Sequence, residues 1–153
     1  MIHPKIRFNH HPDGEQIARS AGCVYNPIGD TTISRYDNDG DCMGGALFRD
    51  YTGRGGSTCV HFAGFHPRWI CKDLLFVCFD YPFNQLGVKK MFAQVPMSNE
   101  TSLKLCRHFG WKPEQVIEDV YPDGDMQLFS MYRADCRFLD IVPSFAKEAP
   151  DGR

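Results

Sequence analysis

The chain has 153 residues, 42% of them hydrophobic and 24% charged, which suits one domain around a single core. No apolar run approaches the ~20 residues that span a bilayer, and the stretch from Met1 to Phe8 has no signal-peptide core, so a cytoplasmic protein is expected. A net charge of −2 gives no global case for binding nucleic acid.

Residues 5–9 read as a short first strand, broken by His10-His11-Pro12-Asp13-Gly14. Asp13 is the expected N-cap of a short helix over 15–21 that Gly22 stops. The His10-His11 pair is of metal-ligand type, but no third ligand follows at helical or turn spacing, and a surface turn is the stronger reading. Residues 31–36 are β-branched and aromatic, hence a strand. Asp37-Asn-Asp-Gly-Asp41 is a hairpin turn. It also matches the opening of a calcium loop, without the Glu that closes one. Strands over 43–51 and 57–65 continue the meander around a 52–56 turn.

Residues 69–86 are the longest helical candidate, and Pro82 inside them predicts a kink or an end near Tyr81. Residues 90–95 form the next strand. Asn99 then caps a helix, with Glu100 placing a carboxylate in its first turn. Leu103, Cys106 and Phe109 recur at helical spacing. Gly110 stops the helix, Trp111 packs back, and Pro113 prevents resumption. Strands over 114–121 and 126–133 flank a tight turn, Pro122-Asp-Gly-Asp125. An apolar cluster over 138–142 completes a single domain, 1–142, and 143–153 is expected to be a polar tail of low order. Strand-helix-strand in the middle requires a parallel pair with a crossover, and hairpins on both sides make the rest antiparallel, so the fold class is a mixed α/β (α+β) sheet with flanking helices.

Seven cysteines, Cys23, Cys42, Cys59, Cys71, Cys78, Cys106 and Cys136, include no C-x-x-C pair. That is neither a zinc pattern nor a disulfide framework, and reduced, buried thiols are expected. Arg49, Arg54, Arg68 and Lys72 gather in the middle of the chain, while residues 114–125 are acidic. The basic group leaves an anionic ligand open beside the plainer reading of solvated loops.

The order strand, capped turn, short helix, Gly stop, aromatic, with Asn99, Ser102, Leu105, Gly110 and Trp111 at these separations, resembles the C-terminal half of the GCN5-related N-acetyltransferase (GNAT) family. The family's usual wording there is N-x-x-A-x-x-L-Y-x-x-x-G-F. Ser102 stands for the small residue, Cys106 for the Tyr and Trp111 for the Phe. The element order extends the resemblance over residues 5–133, without the family's second early helix, for which 22–31 leaves little room. The short first helix and diverged phosphate loop are similar to those of GNAT-like proteins of tailed bacteriophages, which would place the chain in a host cytoplasm.

The resemblance implies acetyl-CoA bound where two central parallel strands splay apart, with its pyrophosphate on backbone N–H groups at the start of the long helix. The family's loop there reads Q/R-x-x-G-x-G/A, and the matching stretch is Arg68-Trp-Ile-Cys-Lys-Asp73. Arg68 fits the first position, Cys71 and Asp73 replace small residues, and Lys72 with Arg68 would supply positive charge. Phe62, Ala63, Asn99 and Ser102 complete the implied cofactor contacts; no metal is implied. The chemistry implied is direct attack of an amine on the thioester, with strand amides from Val60 to Ala63 polarising the carbonyl.

His61 is the candidate base, ahead of His108, Ser98 and Tyr81. Cys106 would protonate the thiolate in place of the family's Tyr, or alternatively carry the acyl group as nucleophile. Trp69, Tyr81 and Phe83 are placed to line a substrate cleft, core packing being the favoured role for Phe83, and Tyr25, Tyr36 and Tyr51 lie near the acceptor loops. The implied partners are acetyl-CoA and an unidentified amine, with the C-terminal hairpin a route to a homodimer. Two alternatives stand beside this reading. One is a fold that has lost catalysis and binds a host or virion protein. The other is an acyltransferase that modifies nucleic-acid bases.

Overall fold

Alternating β-branched, aromatic and small residues build seven strands, and all seven join one sheet. The computed structural model describes residues 5–147. Its strands are β1 (Ile6–Phe8), β2 (Thr31–Tyr36), β3 (Cys42–Arg49), β4 (Ser57–Gly64), β5 (Lys90–Pro96), β6 (Lys112–Tyr121) and β7 (Gly124–Tyr132). They lie in the order β1-β2-β3-β4-β5-β7-β6. Only β4 and β5 run parallel; the other neighbours are antiparallel. This is the mixed α/β sheet that the element order predicts.

Helix α1 (His11–Ala21) starts earlier than expected. The cap position is His10, and Asp13, the expected cap, lies inside the first turn. Pro12 fits that turn because the first helical N–H groups have no partner to lose. Asp13 instead finds tertiary partners. It accepts from Arg7 Nε and Nη2 at 2.6 and 2.8 Å and from Ser34 Oγ at 2.6 Å, and His10 Nδ1 lies 3.0 Å away. Burial alone would raise this carboxyl's pKa. The hydrogen bonds from Arg7, Ser34 and His10 outweigh burial and hold it below the usual carboxylate range. Arg7 also donates to the Gly40 carbonyl, so one buried carboxylate fastens β1, α1, β2 and the β2–β3 turn. That turn is itself organised by Asp37 Oδ1, which accepts the N–H groups of Asp39 and Asp41.

Helix α2 (Lys72–Asp80) begins at Lys72 rather than Trp69, with the Cys71 thiol accepting the Leu74 N–H at 3.4 Å. Pro82 does not end the helix. The chain continues through a π-helical turn, Tyr81–Gln85. In this wider register the Leu86 N–H reaches the Tyr81 carbonyl at 2.9 Å. Helix α3 (Glu100–His108) is capped as expected: Asn99 Oδ1 accepts the Ser102 N–H at 3.1 Å. Gly110 follows in the left-handed conformation, φ 87°. The expected low-order tail instead opens with a helical turn, α4 (Ser144–Lys147). The rest of it, 148–153, lies outside the described residues, as do 1–4.

Two apolar layers sandwich the sheet. On one face Ile17 and Ala18 of α1 meet Leu47 and Ala63. On the other, α2, α3 and the segment around Phe138 cover Met91, Phe129 and Val60. Phe79, Phe83 and Phe129 are fully buried, and Phe138 stacks on Phe79 at 4.8 Å. Each such ring contributes about 1.5–3 kcal/mol by leaving water. All seven cysteines are free. Among the described residues no helix is long and apolar enough to cross a membrane.

Candidate functional site: a cleft where β4 and β5 part

β4 and β5 pair from Ser57 opposite Lys90 to Val60 opposite Ala93, and no further. Beyond that rung β4 stays with β3 as far as Gly64, while β5 stays with β7 as far as Pro96. The two strands therefore diverge, and a cleft of about 270 Å³ opens between them. Residues 61–64 and 94–96 form its strand walls. Side chains of α3 close one face, and Ser20 and Ala21 of α1 reach it from the other. The cleft thus runs through the sheet. Along it, the backbone groups of β4 that point towards β5 have no strand partner.

Six of the residues singled out in the sequence meet in this cleft: His61, Phe62, Ala63, Asn99, Ser102 and Cys106. His61 is 9% exposed, and its ring makes no hydrogen bond among the described residues. Burial, and after it the nearby Arg49 charge, lowers its pKa below the ordinary histidine value. The imidazole is therefore neutral near pH 7 and able to accept a proton. Arg49 is itself held by Asp30 at 2.7 Å and the Val24 carbonyl at 2.8 Å. Burial pushes the Cys106 thiol up to about 12, so it keeps its proton. Asn99 and Ser102 are tied to each other through the α3 cap.

The four loop residues do not line the cleft. Arg68 and Cys71 sit beside it between β4 and α2, and Lys72 and Asp73 in the first turn of α2. Arg68 is exposed, and its N–H donates to His66 Nδ1 at 3.0 Å. The carbonyls of Arg68 and Trp69 both accept from Arg35, which pins the loop to β2. Lys72 is exposed at the head of α2, where the first-turn N–H groups lack helical partners. The Cys71 thiol is taken by Leu74. Asp73 accepts the Ser144 N–H at 2.7 Å and the Ser144 hydroxyl, so its charge is turned towards α4. Phe145 packs edge-on against Phe76 beside it.

Arg49, Arg54 and Arg68 do not converge. Arg54 packs on Gly87 at the end of β4 opposite to Arg68, a strand length of roughly 25 Å away. Nor do the expected aromatics all arrive. The Tyr81 hydroxyl donates to Thr31 at 3.2 Å, Tyr36 lies under Arg7, and the Tyr51 hydroxyl donates to the Leu86 carbonyl; Phe83 is in the core, its favoured place. Tyr25 packs against His11. Of the alternative bases, Ser98 donates to Asp123, and His108 is exposed at the end of α3.

Trp69 does form part of the wall. Its indole lies flat on Gly44 and Gly64, which pair across β3 and β4. A Cβ on Gly64 would sit 2.0 Å from Nε1, and one on Gly44 would sit 2.7 Å from the ring. Sequence reasoning missed Gln94 and the cleft-facing role of Trp111. The available signals were a lone polar residue within the apolar 91–95 run, and an indole where the resembled motif has a phenyl ring. Among the described residues Trp111 Nε1 is buried with no hydrogen-bond partner, a defect that costs about 1–3 kcal/mol.

Neither a protein-family model nor a curated protein sequence matches the chain. Solved structures do. Spermidine N-acetyltransferase from Vibrio cholerae, in complex with CoA and spermine, is similar at a TM-score of 0.66 and 10% identity, over 86% of this chain and 97% of that one. A Desulfovibrio desulfuricans protein assigned to the GNAT family as an acetyltransferase is similar at 0.61 and 13%, over 83% and 98%. Ribosomal-protein-S5-alanine acetyltransferase from Vibrio fischeri is similar at 0.58 and 16%, over 71% and 63%. At such identities the likeness is one of architecture: the chain has the fold of the GNAT acyl-CoA N-acyltransferases.

Proposed function

We propose that the chain is an acyl-CoA-dependent N-acetyltransferase that passes an acetyl group from acetyl-CoA to an amine by direct attack. The observation that carries this reading is the cleft through the sheet at the β4–β5 split, with a neutral, unpartnered His61 in its wall. Acetyl-CoA supplies an activated acyl thioester. Backbone N–H groups of β4 beyond Val60, left without β5 partners, polarise a carbonyl seated against them. His61 takes the proton from an amine that enters on the α1 face. The high pKa of Cys106 supports direct attack over an acyl-cysteine route, and it makes the thiol a poor acid for a leaving thiolate of ordinary basicity. That proton then comes from water.

At the other end, Arg68, Lys72 and the free N–H groups of α2 fit a diphosphate. Asp73 is the unfavourable charge there, and Ser144 draws it aside. The neighbour bound to CoA and spermine supports an amine acceptor.

Calorimetric titration of the reduced protein with acetyl-CoA, with CoA as control, tests the reading. Acetylation of a panel of polyamines, aminoglycosides and peptide N-termini follows. Micromolar binding with thiol release is expected. No binding at millimolar acetyl-CoA refutes the enzyme reading. It would favour instead a binding protein that keeps the fold, for which a carboxylate at the head of α2 is no handicap. Capture of a host or virion protein would then be sought.

A further inference from the structure

The two mouths of the cleft differ in chemistry, because side chains alternate between the faces of a strand. Val60, Ala93 and Val95 belong to the apolar layer under α2 and α3, while Leu47 and Ala63 meet α1. His61 pairs with Leu47 across β3 and β4, and Gln94 lies between Ala93 and Val95, so both belong to the α1 side. That is the side on which the acceptor amine enters.

The wall it meets there is neutral. Among the described residues that line the cleft there is no Asp, Glu, Lys or Arg. α1 contributes Ser20 and Ala21, β4 His61, and β5 Gln94. Three charged groups act on His61 from outside the lining: Arg49, Asp30 and Asp50. Arg49 and Asp30 offset each other at 2.7 Å, and Asp50 is exposed beyond the end of β3. Glu100 follows Asn99 and precedes Thr101 without lining the cleft as they do, and Asp123 accepts the Ser98 hydroxyl. An ammonium group entering this wall gives up its water and finds no carboxylate in exchange, whereas a neutral amine loses far less.

We propose that the acceptor is a weakly basic amine, an α-amino group or an aromatic amine, which enters uncharged, and that polyamines and lysine side chains are poor substrates. The proposal rests on the acetyl-CoA reading above. The nitrogen lone pair forms the new C–N bond, the C–S electron pair leaves with the thiolate, and the nitrogen gives its proton to His61. Burial keeps the basicity of His61 low. It therefore takes a proton from a nitrogen that has attacked, and not from a free alkylammonium of pKa about 10.4.

A short peptide with a free α-amino group and one lysine offers both amines to the wild-type protein. Fragment mass spectrometry reads acetylation at each nitrogen, after subtraction of the uncatalysed rate. At pH 7 about 10% of the α-amine is neutral, against about 0.04% of the ε-amine. The ε-amine is the stronger nucleophile, which offsets part of this, and a lead of at least about ten-fold for the α-amine is expected. By pH 9 that lead should shrink about ten-fold, as the ε-amine loses its proton. Aniline and spermidine are assayed singly beside the peptide. Turnover of the α-amine alone, of aniline alone or of both names the source of the weak amine, and each supports the proposal. Spermidine or the ε-amine turned over at pH 7 as fast as the better weak amine overturns it. So does a protein that binds acetyl-CoA and acetylates neither weak amine. Failure to bind acetyl-CoA is a different result, because it removes the acyl-CoA reading itself and this proposal with it.

Discussion

Replacing Gly64 by alanine sets a methyl group against the Trp69 indole. The added Cβ would lie 2.0 Å from Nε1 and 2.4 Å from Cδ1, where ordinary contact begins at 3.4 Å, so the ring must retreat by about 1.4 Å. Gly64 has no left-handed φ, and the backbone adds no strain of its own. The retreat still has a cost, because Arg35 fastens the loop carbonyls on either side of the ring. Overpacking costs about 1–3 kcal/mol, and the incomplete burial of the ring puts this case near the lower end. For a chain of this size that lowers the melting temperature by about 2–6 °C.

The larger effect is expected in the cleft, since the displaced ring is one of its walls: acetyl-CoA affinity should fall about ten-fold. Thermal melts and calorimetric titration read the two effects separately. Adding Trp69→Ala removes the clash, so the double variant should be less destabilised than the single effects add up to, by about 0.5–3 kcal/mol. If Gly64→Ala melts and binds like wild type, the indole does not rest on Gly64 and the wall is misassigned.

His61→Gln should lower kcat by about 10²–10⁴-fold with little change in the KM for acetyl-CoA. In the wild type the acid limb of the rate profile should lie below about 6.5, because burial and Arg49 depress the imidazole pKa. In the variant that limb should vanish, and unchanged turnover would exclude His61 as the base. Asp13→Asn leaves the Arg7 guanidinium, 24% exposed, without its counter-charge. Removing one partner of a fully buried pair costs about 3–5 kcal/mol; the partial exposure of Arg7 reduces this to about 2–3 kcal/mol, or a fall of about 4–12 °C in melting temperature. The Asp13 pKa is depressed in the folded state, so its contribution is full above the unfolded value of about 3.9 and is lost as pH falls through the folded value. Urea melts at pH 7 and pH 3 should therefore show the gap between variant and wild type closing at low pH. Equal stability at pH 7 would refute the role.

The fold was legible wherever neighbours in sequence carry the signal. The Asn99 cap, the Gly110 stop and the β-branched run at Thr31 each depend on a few adjacent residues, and the strand-helix-strand order then requires the crossover. Misplaced features depend on distant partners. Asp13 looks like a cap until Ser34, on another strand, is known to sit beside it. Asp73 looks like a phosphate-loop residue until Ser144 arrives from the far end of the chain. Pro82 looks like a terminus because a change to π register depends on how Phe79 and Phe83 are both buried. The site shows the same division. His61, Phe62, Ala63, Asn99, Ser102 and Cys106 come together because their elements flank the strand split, whereas Gln94 and Trp111 acquire meaning only once β5 and the end of α3 are placed against β4.

β4 is laddered to β5 from Ser57 to Val60 and to β3 from Cys59 to Gly64, so beyond Val60 it has one strand neighbour. At Cys59 and Val60, where both ladders are present, strand partners on either side slow exchange of the amide protons with water. Over 61–64 the protons facing β3 remain protected, while those facing the gap have only the depth of the cleft to shield them. The strand therefore carries an alternation of slow and fast exchange that begins at one rung. Any molecule that seats in the gap and supplies the missing acceptors will even out that alternation. The gap-facing members of these four residues thus report occupancy of the cleft with neither a label nor a chromogenic reaction, whatever the chemical identity of the occupant.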